Sequence, residues 1–178
     1  LGVLDHLNAK LNITPDDITV GRDTGKEQFP HHIETLGKFQ LLSSFVFVLD
    51  GDARAIGPKI EMAAQKFGQR VQPLFLPSDQ PPEGWVYDML SKHVIEYAGI
   101  LGLSEPSLSQ QLRSIRQSFE SAADKPANIL KGQYDILSET LQRSPEDMAR
   151  IVGRTEVERD MKIFATELEQ AIYDWRQQ

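Results

Sequence analysis

Residues 45–52, FVFVLDGD, form the stretch that decides how this chain folds. The five apolar residues 45–49 are strand formers without alternation, which predicts a β-strand buried on both faces. Asp50-Gly51-Asp52 follows that strand directly. In an open α/β sheet, ligands bind just beyond the carboxyl ends of such strands. The residues therefore predict two neighbouring carboxylates at a ligand-binding edge of a sheet.

Two carboxylates one residue apart repel each other, and a bound cation removes that repulsion. A hard divalent ion such as Mg²⁺ prefers oxygen ligands and suits this pair. The alternative is a local turn, because Asp-Gly is a common turn pair at strand ends. The residues after Asp52 lead into a helix instead of returning as a hairpin strand, which favours the metal site.

The composition excludes several classes of protein. The chain has 178 residues, enough for one domain or for a domain with a helical appendage. Of these residues 40% are hydrophobic and 25% are charged, which is ordinary for a globular protein. Cysteine is absent, which excludes disulfides and thiolate metal sites and favours a reducing cytoplasm. A formal net charge of −7 argues against a broad basic surface for nucleic acid. No apolar run approaches the roughly 20 residues that span a bilayer.

Helices and strands alternate in the first part of the chain, which indicates an α/β fold with a small, mostly parallel sheet flanked by helices. The predicted helices are 1–11, 30–42 and 58–67, and the predicted strands are 18–20, 45–49 and 71–76. Pro73 places the last strand at an edge or at a bulge. Three strands make a thin sheet, so we expect a further strand upstream of Leu1.

From Glu83 onward, apolar residues recur at helical spacing and predict helices to the end of the chain. We therefore expect an α/β domain at residues 1–95 and an all-helical C-terminal subdomain at 96–178. Ser144-Pro145 has the pattern of a helix start, and residues 155–158, TEVE, match a capping box.

Two further segments could contribute to the site. Asp79 and Glu83 follow the strand 71–76, and they would reach the edge occupied by Asp50 and Asp52 if the two strands are parallel. Glu83 could instead stabilise a helix start. Residues 21–26, GRDTGK, have the wrong glycine spacing for a nucleotide-binding P-loop.

In that loop, Gly25 could adopt an unusual backbone dihedral that lets the chain approach the site. Lys26 and Arg22 could contact a phosphate oxygen, with solvated surface charges as the alternative. The four histidines lack metal-ligand spacing and are interpreted as structural.

Asp50-Gly51-Asp52 after a strand, followed by a helix, a strand and the segment 76–83, LPSDQPPE, resembles the Toprim domain. The resemblance covers roughly residues 1–95 and is greatest to OLD-family ATP-dependent nucleases and related AAA/SMC-like ATPases of bacterial anti-phage defence. It implies that Asp50, Asp52 and Glu83 are catalytic metal ligands and that Gly25 is the family's glycine, with Gly21 as a substitute for it. Toprim sites also need a glutamate on a first strand, which this sequence lacks, so we expect either that the chain is a fragment of a longer protein or that another segment supplies the glutamate.

The resemblance further implies phosphodiester hydrolysis with two Mg²⁺ or Mn²⁺ ions about 4 Å apart. The expected substrate is DNA before RNA. The expected partner is an upstream ATPase module that binds ATP, and the helical tail could support a homo-oligomer. Lys125 and Lys131 are candidates for the lysine that some members carry in that tail.

Two other functions stay open. Haloacid-dehalogenase-like phosphatases also place Asp-x-Asp after a buried strand, with the first residue, here Asp50, as nucleophile. That family has Thr or Val soon after the second aspartate, where this chain has Ala53-Arg54. A non-catalytic interaction or dimerisation module is the other alternative, which the negative charge and the missing glutamate favour.

Overall fold

A computed structural model describes residues 2–14, 17–19, 25–120 and 129–177. The chain divides into two compact units. The helical unit consists of residues 1–2 and 80–155, and the mixed unit consists of residues 3–79 and 156–178. The sequence-based division at residue 95 lies within the helix Val94–Leu101.

Helices and a short parallel strand pair make up the mixed unit. Its elements are α1 (Gly2–Leu11, whose first residue belongs to the helical unit), α2 (Phe29–Lys38), β1 (Val48–Leu49), α3 (Gly57–Gln65), β2 (Leu74–Phe75) and α9 (Lys162–Arg176). Short 3₁₀ turns lie at Lys26–Gln28, Leu42–Ser44, Gly51–Ile56 and Glu156–Glu158.

The predicted α/β sheet is wrong, because the described chain is mostly helical and its only sheet has two strands. The two strands are parallel, as expected, with Val48 opposite Leu74 and Leu49 opposite Phe75. The ladder is short, and Pro73, which has no N–H, precedes its first donor on β2. Of the predicted strand 18–20, Ile18 and Thr19 lie outside any strand, and Val20 lies outside the described residues.

The apolar run 45–49 is not buried on both faces, contrary to the prediction. Phe45 is 45% exposed and Val48 is 42% exposed. Within the described residues β1 pairs with β2 alone and is therefore an edge strand, whereas a strand buried on both faces is expected inside a larger sheet. The core of this unit forms mainly from helix and loop residues instead, namely Ile33, Leu42, Ala53, Ile56, Ile60, Ala63, Ala64 and Val71.

The helical unit confirms the predicted helices after Glu83. Its helices are α4 (Pro82–Lys92), α5 (Val94–Leu101), α6 (Glu105–Glu120), α7 (Ile129–Leu141) and α8 (Pro145–Thr155). Residues recurring at helical spacing fill its core, among them Tyr87, Leu90, Tyr97, Leu108, Leu112, Ile115, Leu137 and Val152. None of the described helices is long and apolar enough to cross a membrane.

One predicted helix start is confirmed and the other is wrong. The Ser144 hydroxyl accepts the Asp147 N–H at 3.1 Å, and Pro145 is the first residue of α8. Thr155 instead ends α8 and donates its hydroxyl to the Ile151 carbonyl at 2.9 Å. The capping box fails because Glu156 is fully buried and begins a 3₁₀ turn, so α9 starts only at Lys162.

Candidate functional site

The candidate site lies in the mixed unit, where both strands end. Asp50 follows β1 with an extended backbone (φ −60°, ψ 149°), and its carbonyl accepts the Ala53 N–H at 3.0 Å. The 3₁₀ turn Gly51–Ile56 then continues into α3. We call residues 50–52 the acidic turn and residues 76–79, which follow β2, the β2 turn. Because β1 and β2 are parallel, both turns leave the same edge of the sheet.

Gly51 brings the two turns into backbone contact. A Cβ atom on Gly51 would collide with the carbonyl oxygen of Ser78 and would lie 2.8 Å from that of Leu76. Ser78 itself has a positive φ of 78°, which is uncommon for a residue with a side chain. The acidic turn therefore needs glycine at its centre for close approach, which a pattern of carboxylates alone does not reveal.

Lys26 forms an ion pair with the acidic turn. Its ammonium donates to Asp52 Oδ2 at 2.8 Å and to the Asp52 carbonyl at 3.3 Å. The Lys26 side chain is 45% exposed and that of Asp52 is 29% exposed. The hydrogen bond to Asp52 raises the pKa of Lys26, and the negative charges of Asp52, Glu27 and Asp50 add to that shift. Lys26 thus lies in the site, where its ammonium binds the Asp52 carboxylate.

Arg54 is a site residue that the sequence analysis missed. Its Nη2 donates to the Leu76 carbonyl at 2.8 Å, and its Nε lies 3.3 Å from Asp79 Oδ1. The guanidinium also lies over the Phe75 ring, 5.5 Å from its centroid. Arg54 therefore links the 3₁₀ turn Gly51–Ile56 to the β2 turn. The signal that could have found it is a cation two residues after an Asp-x-Asp at a helix start.

Gly25 does not have the unusual dihedral that was expected. Its φ of −63° and ψ of 141° are ordinary extended values, and a Cβ there would meet nothing within 4 Å. Its carbonyl accepts the Gln28 N–H at 2.9 Å and begins the turn that carries Lys26. Gly21, Arg22 and Lys125 lie outside the described residues, and Lys131 is exposed on α7.

Glu83 belongs to the helical unit, whereas Asp50, Asp52 and Asp79 belong to the mixed unit. It lies in the first turn of α4, directly after Pro82, which is the helix-start position that the sequence also allowed. Within its own unit, its negative charge adds to burial in raising the pKa of Tyr134. The structure thus brings together Asp50, Asp52, Asp79 and Lys26 in one unit, and it places Glu83 in the other.

The donor atoms of the acidic turn fit a hard divalent cation, but they do not form a complete protein cage. Carboxylate oxygens are the ligands that Mg²⁺ prefers. No group of three or more His, Asp or Glu side chains in the described ranges is arranged to hold a metal. Mg²⁺ is commonly held by one or two carboxylates, with waters and substrate phosphates as its other ligands. Asp50 and Asp52 fit that open type of site.

Comparison with known proteins adds no family to this description. No protein-family model, no curated protein and no solved structure matches the chain.

Proposed function

We propose that the acidic turn binds Mg²⁺ or Mn²⁺ and supports metal-dependent hydrolysis of phosphodiester bonds in nucleic acid, DNA before RNA. The observation that supports the proposal best is the pair Asp50 and Asp52 at the carboxyl end of a parallel strand pair. Two cationic side chains, Lys26 and Arg54, lie at the same edge. Acids that hold a metal beside cations that hold phosphate are the parts that such a reaction requires.

Each of these side chains has a separate role in the proposal. Asp50 and Asp52 would hold the cation through their carboxylate oxygens. Lys26 and Arg54 would bind non-bridging phosphate oxygens and orient the phosphodiester. The metal, when bound, supplies Lewis acidity and a water of lowered pKa. The proposal does not depend on Glu83, Gly25, Lys125 or Lys131.

The wider setting follows from the Toprim resemblance, which covers roughly residues 1–95, and is part of the proposal. That resemblance is one of residue pattern and not of sheet architecture. It implies a nuclease of the OLD-family type that works with an ATPase module in the cytoplasm, in anti-phage defence. Homo-oligomerisation would belong to the same setting.

Metal binding is the direct test of the acidic turn. Mn²⁺ is titrated into the parent chain and into the variant Asp50→Asn/Asp52→Asn, and free Mn²⁺ is measured by electron paramagnetic resonance. The matched control is Glu61→Gln/Glu167→Gln, which removes two exposed carboxylates of the same unit on α3 and α9. We expect saturable binding by the parent and the control and loss of binding in the Asp variant. Equal binding by all three proteins would overturn the proposal.

Cleavage is the second test. Supercoiled circular DNA is incubated with each protein in Mg²⁺, in Mn²⁺ and in EDTA, and nicked products are separated on agarose. We expect nicking that requires the metal and both aspartates. Nicking by Asp50→Asn/Asp52→Asn at the parent's rate would assign the activity to another site.

A further inference from the structure

We propose that Lys26 is a tethered cation that holds the Asp52 carboxylate until a divalent cation displaces it. Lys26 then sets the metal affinity of the acidic turn, and its released ammonium becomes available to a phosphate. The inference rests on the proposed function, because it requires a metal at Asp52.

The position of the ammonium carries the argument. Lys26 Nζ contacts both the Oδ2 and the carbonyl oxygen of Asp52, at 2.8 Å and 3.3 Å. A divalent cation would bind the same carboxylate at about 2.1 Å from its oxygen. Two positive charges at such close range repel strongly. Metal and ammonium therefore compete for Asp52, and the ammonium is the cation that can leave.

Lys26 can leave at little cost. Its side chain is 45% exposed and extends from a short 3₁₀ turn on a flexible four-carbon stem. Ion pairs between exposed side chains contribute little net free energy. Arg54 differs in this respect, because its guanidinium also donates to a backbone carbonyl and covers the ring of Phe75. Lys26 is thus the mobile cation of the site and Arg54 the fixed one.

The chain offers a matched control for this lysine. Lys66 at the end of α3 forms an ion pair with Glu34 on α2, and its side chain is 62% exposed. This pair resembles that of Lys26 in type and exposure, but it does not involve the acidic turn. Lys66→Gln therefore removes the same charge from the same unit without releasing Asp52.

The first test is Mn²⁺ affinity in Lys26→Gln, Lys66→Gln and the parent. We expect Lys26→Gln to bind Mn²⁺ about three- to fivefold more tightly, which is the upper range for one exposed ion pair. Lys66→Gln should bind like the parent. One outcome is that Lys26→Gln binds Mn²⁺ no more tightly than the parent, while Asp52→Asn loses the binding that the parent shows. That outcome would overturn this inference and leave the proposed function standing. Absence of binding in all of these proteins would overturn both.

The second test measures release of the amine directly. The parent is labelled briefly with an amine-acylating reagent, with and without Mn²⁺, and the labelled lysines are counted by mass spectrometry. We expect Mn²⁺ to increase labelling of Lys26 and not of Lys66. In Asp52→Asn, Lys26 should be labelled readily in both conditions. Equal labelling of Lys26 in the parent with and without Mn²⁺ would overturn the inference.

Discussion

At the scale of single residues, Gly51 makes the sharpest prediction about stability. A methyl group there would collide with the Ser78 carbonyl. The atoms that it would meet in the β2 turn belong to the backbone, which has less room to move than a side chain. Overpacking of this kind typically costs about 1–3 kcal/mol. We expect Gly51→Ala to lower the free energy of unfolding by that amount, measured by urea denaturation followed by circular dichroism.

Gly25→Ala is the control for that substitution. Gly25 has an ordinary φ and open space around its Cα, so an added methyl group meets nothing. We expect a change within about 0.5 kcal/mol, as for other surface substitutions. Equal losses in the two variants would contradict the close approach at Gly51.

Tyr134 predicts how the helical unit responds to alkaline pH. Its hydroxyl donates to the Pro145 carbonyl at 2.5 Å, and the residue is 3% exposed. Burial, and then the charge of Glu83, raise the pKa of Tyr134 above its usual value. A raised pKa in the folded state means that this contribution to stability is full below about pH 10 and is lost as the pH rises further.

We therefore expect the free energy of unfolding to fall between about pH 8 and about pH 11, and to fall less in Tyr134→Phe. At the lower pH, Tyr134→Phe should cost about 0.5–1.5 kcal/mol for its lost hydrogen bond. Urea denaturation at both pH values measures this. Tyr173→Phe removes a tyrosine hydroxyl at a position that is 57% exposed, and it controls for the substitution itself. An unchanged dependence in Tyr134→Phe would contradict the role given to burial.

How far the sequence predicts the candidate site differs between its residues. The position of Asp50 and Asp52 at a strand end follows from a local pattern, the apolar run before them. The partners of these acids do not, because Lys26 and the β2 turn are distant in sequence and reach the acidic turn only through tertiary folding. Lys26 was identified as a candidate phosphate ligand, but its contact with Asp52 comes from the structure alone.

At the scale of elements, β1 shows why a strand cannot be read from apolar residues alone. The run 45–49 has strand-forming side chains, but only Val48 and Leu49 pair. A strand's length is set by its partners as well as by its own residues, and here the ladder includes the bonds from Leu74 N–H to the Phe47 carbonyl and from Leu76 N–H to the Leu49 carbonyl. The Phe45 and Phe47 rings, which precede the strand, pack against each other with centroids 5.8 Å apart.

Helix starts, by contrast, depend on a few neighbouring residues, and Ser144 tests one of them. Its hydroxyl accepts the Asp147 N–H, which otherwise lacks a partner within the helix. We expect Ser144→Ala to lower the free energy of unfolding by about 1 kcal/mol, measured by urea denaturation. Ser144→Asp keeps a side-chain acceptor and should retain most of the stability. An equal loss in both variants would mean that the side-chain acceptor at position 144 is not what stabilises this helix start.

At the scale of the whole molecule, local periodicity and non-local pairing were predicted with unequal success. The helical unit follows from apolar residues at a spacing of three and four, such as Leu108, Leu112 and Ile115, all of which are buried. The sheet depends on pairing between segments that are distant in sequence, and the predicted three strands are replaced by two short strands in the mixed unit. A helix can be predicted from the periodicity of its own residues, whereas a strand can be placed only when the segment that pairs with it is known.

The net charge of the molecule leads to a prediction about the nucleic-acid binding that the proposed function requires. With a formal net charge of −7, the chain repels a phosphate backbone, so binding to DNA should require a bridging cation. Ca²⁺ takes oxygen atoms as ligands, and it is added in this experiment as the bridging ion. We expect fluorescence anisotropy of a labelled DNA duplex to show binding by the parent only when Ca²⁺ is present.

Variants at the acidic turn separate a bound metal from general charge effects. Asp50→Asn/Asp52→Asn loses two negative charges and changes the formal net charge from −7 to −5, which reduces the general repulsion. Glu61→Gln/Glu167→Gln changes it equally. If general charge governed binding, both variants would bind DNA more tightly than the parent in Ca²⁺. If the acidic turn holds the bridging ion, the Asp variant loses Ca²⁺-dependent binding while the Glu variant keeps it, because only the first removes the carboxylates that join the protein to the phosphate.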